Sequence, residues 1–465
     1  MATTREQAEA YEYAKRRMTT SLLRGTDEAR RDPRRRLNRS LGSGIAVGVL
    51  VAAVFGIIGW LGGGNGPDLP TRGVVVVGDG GDPYIVEDGV VHRALNLASA
   101  MLVGGSQITE VRQGTLDEAP RGRPVGIPGA PDALPDADDL LDEDWTLCAT
   151  PSETGGPPVQ TTLYVAVPSA AEAGPAGTVL VEAEDGALWL LTEGRRYALT
   201  QSVAELLGLR EEPVPLPLEV IVTVPEGPSI TVPDAVAGAG EEPAADLPFE
   251  AEVGDVAHTV SGPNQQYFVV RSDGLVAVSE LVYTLLATPA GADRAISSLD
   301  AAQAPRSPAR PPGDQGWPDA TPVVDELERD QPVCVSTPPG GRPGDAPWRA
   351  TVHLPQSMPE PADMTPVTAA SAEPLGLLNS LYVPAGSGAV VRSTTSGGSG
   401  GSHVLVTDDG TAYRFASAEA VERLGYQPAE APSMPSAFVD LLPTGPVLDP
   451  DAAAQEEQPL GEEDQ

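Results

Sequence analysis

Beyond residue 74, apolar and polar positions alternate in short runs, and four stretches share one pattern. Each has a β-rich apolar run, an Asp-Gly pair, a second alternating run and then a switch to helical spacing. The first leads from Tyr84 through Asp88 and Gly89 into LNLASAMLV. The second, TVLVEAEDGALWLL, turns at Asp185 and Gly186, adds a strand RRYAL and ends in SVAELLGL, where Ala204, Leu206, Leu207 and Leu209 follow helical spacing. The third, YFVVRSDGLVAV, turns at Asp273 and Gly274 before SELVYTLL, and the fourth, HVLVTDDGTAYRF, turns at Asp409 and Gly410 before SAEAVERLGY. Asp-Gly suits the central pair of a type I′ turn, where both residues need positive φ. Each stretch is therefore predicted to be a β-hairpin closed by a short helix, repeated four times.

The Asp-Gly pairs are 97, 88 and 136 residues apart, too far and too uneven for a tight solenoid. One gap holds Trp145 and Cys148 and another holds Cys334, so a central β-rich domain assembled from the chain between repeats is expected. The resulting α+β plan places repeat one at 74–110, repeat two at 176–235, repeat three at 250–292 and repeat four at 379–449. The central domain draws on two stretches, 111–175 and 320–378. Pro- and acid-rich segments near 211–250, 302–322 and 336–375, and the Gly/Ser run at 397–402, read as extended or flexible linkers. The tail at 450–465 is acidic and reads as disordered.

Two blocks stand apart. HRALNLASAMLV, His92 to Val103, puts Leu95, Ala98, Ser99 and Leu102 on one helical face, with Asn96 placed to cap or to bond the adjacent backbone. RGRPVGIPGAP, Arg121 to Pro131, is too rich in turn formers for regular structure and reads as an ordered, packed loop.

Ahead of the repeats, residues 41–61 read LGSGIAVGVLVAAVFGIIGWL, 21 residues without a charge. At roughly 1.5 Å per residue such a helix is about 30 Å long, enough to span a bilayer. Residues 1–40 form a basic leader that ends with Arg34, Arg35, Arg36 and Arg39 beside the apolar run, while the first charge after it is Asp68. The positive-inside rule then orients the N-terminus to the cytoplasm and everything from about residue 62 outside. A cleaved signal peptide is the rival reading, but the run is long for one and GGGNGP follows it in place of a small-residue cleavage site.

Charge sharpens this division. Of 29 basic and 66 acidic residues, 11 and 6 lie in the first 40, so beyond them 18 bases face 60 acids. That excess argues against nucleic-acid binding by the exterior region, since phosphate contacts need cations. The leader instead suits anionic headgroups. The chain's two cysteines, Cys148 and Cys334, both fall outside, where thiols tend to oxidise, and one disulfide is expected, with two free thiols as the alternative.

Catalytic chemistry is hard to find. A G-x-S-x-G match around Ser399 sits in the Gly/Ser run without strand-turn-helix context. The only lysine, Lys15, follows no glycine loop, so a Walker-type nucleotide site has no support. His92, His258, His353 and His403 are scattered, and the acidic run 136–144 lacks EF-hand spacing. No cofactor or metal is assigned.

These blocks together resemble the EccB family, conserved membrane component B of type VII (ESX) secretion systems of mycobacteria and related actinobacteria. The likeness runs from EQAEAYEYAKRRM and Asp32-Pro33 through VHRALNLASAMLV, RGRPVGIPGAP, Trp145, Cys148 and Cys334 to VTDDGTAYRFASAEAVERLGY and FVDLLPTGP. Tyr13 stands where the family pattern has phenylalanine and Arg93 where it has proline. The resemblance implies a single-pass inner-membrane protein with an elongated extracytoplasmic region, four lysin-like repeats around a central domain, and a Cys148–Cys334 disulfide. It implies assembly with EccC, EccD and EccE, with the mycosin protease as a further candidate and with homo-oligomeric contacts in the complex. On this reading the chain is a structural subunit. The alternatives are an ATP-hydrolysing component, since family members are sometimes labelled ATPases, or a stand-alone cell-envelope binding module.

Overall fold

The computed structural model describes residues 4–24, 69–78, 81–151, 160–166, 176–260, 265–287, 293–313, 316–328, 330–338, 340, 348–360, 378–395 and 400–456. The chain divides into two compact bodies, Met1–Leu69 and Pro70–Gln465. In the first, Thr4–Arg24 is one α-helix, supported by i,i+4 ion pairs Arg5–Glu9 and Glu12–Arg16. The predicted span 41–61 and Arg34, Arg35, Arg36 and Arg39 lie outside the described residues. Among the described residues, no helix is long and apolar enough to cross a membrane.

Among the described residues, the second body contains five sheets, four of them four-stranded with one shared strand order: third, second, first, fourth. The first module uses strands Arg72–Val77, Pro83–Glu87, Val90–Arg93 and Ile108–Val111; the second uses Val179–Glu182, Leu188–Thr192, Arg195–Leu199 and Val214–Pro215. The third uses Val256–Thr259, Tyr267–Arg271, Gly274–Val278 and Asp293–Ile296; the fourth uses Ala389–Thr394, Ser402–Val406, Ala412–Arg414 and Ser433–Pro435. In each, the first three strands form an antiparallel meander and the last runs parallel to the first.

A parallel return needs a crossover, and a helix supplies it in every module: Leu97–Gly104, Gln201–Leu206, Glu280–Ala287 and Ala418–Arg423. Short polar side chains start all four. Asn96, Thr200, Ser279 and Ser417 each accept from the backbone N–H three residues on. A second short helix follows the fourth strand: Gln113–Asp117, Leu218–Ile221, Ser298–Gln303 and Ser436–Val439.

The expected hairpin-plus-helix is thus a fragment of a larger module. Its fourth strands are two to four residues long and lie in stretches with little alternation, and Val214–Pro215 falls within the 211–250 region expected to be a linker. That region is packed: Leu216, Val220, Ile221, Val224 and Ile230 are buried in it. The strand Ser380–Tyr382, expected in repeat four, pairs in parallel with Gln160–Tyr164 and so belongs to the central sheet. The strand Ile108–Val111 and helix Gln113–Asp117, partly assigned to the central domain, complete the first module instead.

The turns also divide. Asp88 and Gly89 have φ of 50° and 79°, the positive pair of a type I′ turn, between the second and third strands. In the second module that place is held by Glu193 and Gly194, φ 49° and 73°, whereas Asp185 and Gly186 link the first strand to the second. At Asp185-Gly186 and Asp409-Gly410 only the glycine has positive φ. There the Asp carboxylate accepts from the N–H two residues on, Ala187 or Thr411, which holds a type I turn followed by a left-handed glycine. Gly274, φ 135°, opens the third strand of its module, after a turn at Ser272 and Asp273.

Burial links the modules in a series of shared cores. The first and fourth bury Ile85, Ala98 and Leu102 with Leu405, Phe415, Val421 and Tyr426, and their crossover helices touch. The second and third do the same with Leu190, Val203 and Leu207 against Val269, Leu281 and Leu285, again helix on helix. The central sheet joins the two pairs.

Candidate functional site: a disulfide-tied hub between paired modules

The central sheet is built from three distant regions of the chain, in the order Thr351–His353, Val333–Thr337, Trp145–Thr150, Gln160–Tyr164, Ser380–Tyr382. Alternation along Trp145–Thr150 decides its two faces. Trp145, Leu147 and Ala149 point into one large core with Val333 and Val335. That core also takes Val179, Val181, Leu216 and Ile221 from the second module and Val391, Val404 and Phe438 from the fourth.

On the opposite face Cys148 and Cys334 stand directly across the antiparallel ladder, Cα atoms 4.0 Å apart, with their sulfurs bonded. Both are fully buried, packed by Tyr164, Tyr382 and Met358. The two tyrosine rings stack at 5.1 Å, and the Tyr164 hydroxyl donates to the Pro359 carbonyl at 2.6 Å. Beside them Thr146 and Ser336 join hydroxyls at 2.8 Å. The disulfide therefore closes a 186-residue separation within a sheet whose other face carries the second and fourth modules.

The first and fourth modules are locked by the two blocks singled out in the sequence. Asn96, 3% exposed, caps the helix Leu97–Gly104 through its Oδ1 and donates from Nδ2 to the Ile127 carbonyl at 2.8 Å. Ser99 accepts from the Ile127 N–H at 2.9 Å, so the loop Arg121 to Pro131 is clamped on the helix start. Across the pair, Arg423 donates to the Leu102 carbonyl at 2.6 Å and Tyr426 to that of Pro135 at 2.8 Å. Burial, then the charge of Asp136, pushes the Tyr426 hydroxyl pKa well above its usual range.

A second signature escapes a single pass along the sequence. After each second helix the chain runs APRG, VPEG, APRS or LPTG, the first of these after Gln113–Asp117. In each case the proline carbonyl, of Pro120, Pro225, Pro305 or Pro443, accepts from a third-strand N–H, that of Val91, Arg196, Leu275 or Ala412, at 2.8 Å. The residue two beyond that proline donates back to the same strand residue: Gly122, Gly227, Ser307 and Gly445. The pattern covers the outer edge of every meander. Being proline-rich, it looks like linker, and only comparison of the four segments with one another would find it.

The residues offered for chemistry do not converge. His92 bonds the Arg123 carbonyl and His403 that of Pro428, while His353 lies in the central sheet. In the third module His258 Nδ1 lies 2.9 Å from Asp293 Oδ1 and 3.0 Å from the Tyr283 hydroxyl. Burial first, then the hydrogen bond and charge of Asp293, drives the Tyr283 pKa upward. This cluster ties two strands to the crossover helix. Among the described residues there is no group of three or more His, Cys, Asp or Glu placed to hold a metal ion. Ser399 lies outside them, and Lys15 is in the N-terminal helix. A cleft of about 1090 Å³ beside Val214–Pro215 is walled by Glu182, Glu184, Asp185, Glu211 and Glu326, with Arg210 as its cation, a setting that repels nucleotide phosphates.

A family model described as type VII secretion system ESX-1, transport TM domain B, that of EccB, matches residues 1–461. The chain belongs to the EccB family. EccB1 of Mycolicibacterium smegmatis, named an ESX-1 secretion system ATPase, is 26% identical over 98% of this chain and 96% of its own length. EccB3 of Mycobacterium tuberculosis, named an ESX-3 secretion system ATPase, is 28% identical over 96% of this chain and 88% of its own. A chain of an intact ESX-5 inner membrane complex superposes with a TM-score of 0.63 at 24% identity, covering 100% of this chain and 98% of that one. The EccB3 dimer of the ESX-3 core complex gives 0.63 at 23% identity, over 83% and 100%. These two likenesses establish the EccB fold, mixed α+β with several small sheets.

Proposed function

We propose that this chain is a structural, membrane-anchored subunit of a type VII secretion complex. The observation that carries the proposal is the EccB family match over residues 1–461, leader and apolar segment included. Residues 41–61 form a single span with the N-terminus cytoplasmic, a reading supported by the basic leader and the acidic remainder. The four modules are repeats of one element, a reading supported by their common strand order, crossover helix and proline-led edge segment. The disulfide suits an extracytoplasmic setting, where small-molecule reductants do not keep thiols free.

EccC, EccD and EccE, and further copies of this chain, are the partners this role requires, with the mycosin protease as a further candidate. The chain's contribution is rigid architecture: covalently closed, internally paired and built from shared cores. Deleting the gene should abolish export of the substrates of its secretion system, and the intact chain should restore it. Export that continues unchanged in the deletion strain refutes the proposal.

The word ATPase in the names of EccB1 and EccB3 supports a second reading, nucleotide hydrolysis by this chain. ATP turnover by the purified chain that is lost on mutating one defined pocket would establish it.

A further inference from the structure

We propose that the helix Thr4–Arg24 lies flat on an anionic lipid surface, as an interfacial helix beside the span. The proposal rests on the reading of residues 41–61 as membrane-spanning and adds a binding role for the leader.

Tyr11, Met18 and Leu22 are spaced seven and four residues apart, so they share one helical face, and they are 72%, 68% and 86% exposed. Ala8 and Ala14 flank that face, which also carries Gln7, while the exposed Tyr13 lies on the opposite side. The ion pairs Arg5–Glu9 and Glu12–Arg16 fall away from the Tyr11 face. Lys15, four residues after Tyr11 and three before Met18, lies on this same face between Leu22 and Ala8, where a long aliphatic stem can follow the acyl region while the ammonium reaches phosphate. Exposed apolar side chains, a long-stemmed cation among them and an interfacial tyrosine on one face are components of a helix that lies in the headgroup layer.

Chain length and charge favour lipid over a protein groove. Residues 25–40 separate the helix from the span and hold six arginines against three acids. Sixteen residues reach at most on the order of 50 Å, so a helix tethered to a span never leaves the neighbourhood of the inner leaflet. The local concentration of headgroups is then high, and each juxtamembrane cation adds attraction to an anionic surface.

The test uses the full chain in nanodiscs of phosphatidylcholine alone or mixed with phosphatidylglycerol. An environment-sensitive fluorophore is attached at Leu22→Cys or, on the far face, at Glu9→Cys, while the native cysteines stay bonded. In the anionic discs the Leu22 site should be quenched by a lipid-borne quencher and shielded several-fold from aqueous iodide, and the Glu9 site should remain open to iodide. The shielding should weaken in neutral discs and vanish in the K15E/M18E double variant. A Leu22 site equally open to iodide in both discs overturns the proposal while leaving the span intact. Shielding that appears only when a partner subunit is added overturns it in favour of a protein groove. A chain that fails to enter the discs at all refutes the span reading and the proposal with it.

Discussion

Gly445 lies so close against the ring of Tyr413 that a single methyl group on it would collide with the ring. The same relationship joins Gly227 to Tyr197 and Gly122 to His92, always the residue two beyond the proline and a ring on the third strand. In the third module both members differ: Ser307 replaces the glycine and Val276 the ring. A small ring-free partner leaves room for a side chain. G445S should therefore destabilise the fold by about 1–3 kcal/mol through overpacking, and the double variant G445S/Y413V should recover some of that loss. Chemical denaturation in a double-mutant cycle measures the coupling; strictly additive effects would mean the pair is not a unit.

Asn96 serves two segments at once, and its replacements should separate its roles. N96A removes the cap and one of the two donors to the Ile127 carbonyl, which keeps the Ala130 N–H, a loss of about 1–3 kcal/mol when a missing cap and a missing buried hydrogen bond combine. N96D keeps an acceptor for the Ser99 N–H but cannot donate to Ile127 and buries a charge. It should be no better than N96A. Thermal unfolding of the three chains side by side decides this.

The Cys148–Cys334 bond closes a long loop inside the central sheet. Thiol alkylation of the folded, unreduced chain should label neither cysteine. Reduction, or the paired C148A/C334A change, should lower stability by about 2–5 kcal/mol. A midpoint unchanged by reductant would show that the sheet does not depend on the bond.

Tyr283 and Tyr426 make stability fall at alkaline pH. Both hold their protons more tightly folded than unfolded, since burial raises their pKa above the ordinary 10. Their contribution is complete below pH 10 and is lost as pH climbs from there toward the raised folded values. The melting temperature should drop as pH climbs above about 10, and Y283F/Y426F should flatten that fall. Absorbance of ionised tyrosine, followed during the titration, should rise together with unfolding.

How far the sequence reveals this fold depends on which forces leave a mark in one local window. Meander strands such as YFVVR and crossover helices such as SVAEL are marked by periodicity, because each has one buried face. Fourth strands such as Val214–Pro215 and Ser433–Pro435 are too short for periodicity to register, and they are held by pairing to a strand far back in the chain. Proline misleads across 211–250 because a rigid segment without alternation has the same local signature as a linker. In Pro225 and its three counterparts the carbonyl still accepts, so proline closes a sheet edge without needing its own N–H. Asp88 and Asp409 both lie between the second and third strands of their modules, yet Asp185 lies between the first and second, since the dipeptide suits more than one kind of turn. The hub is half legible: the residues themselves suggest that Cys148 and Cys334 oxidise together, but no local pattern foretells that the second and fourth modules share a core beneath Trp145.

Membership of a large membrane machine is tested most directly by the size of the species that carries this chain after extraction from its own membranes in mild detergent, read on a native gel. A high-mass species containing EccC, EccD and EccE is the predicted result. A lone species the size of this chain or its dimer would contradict it.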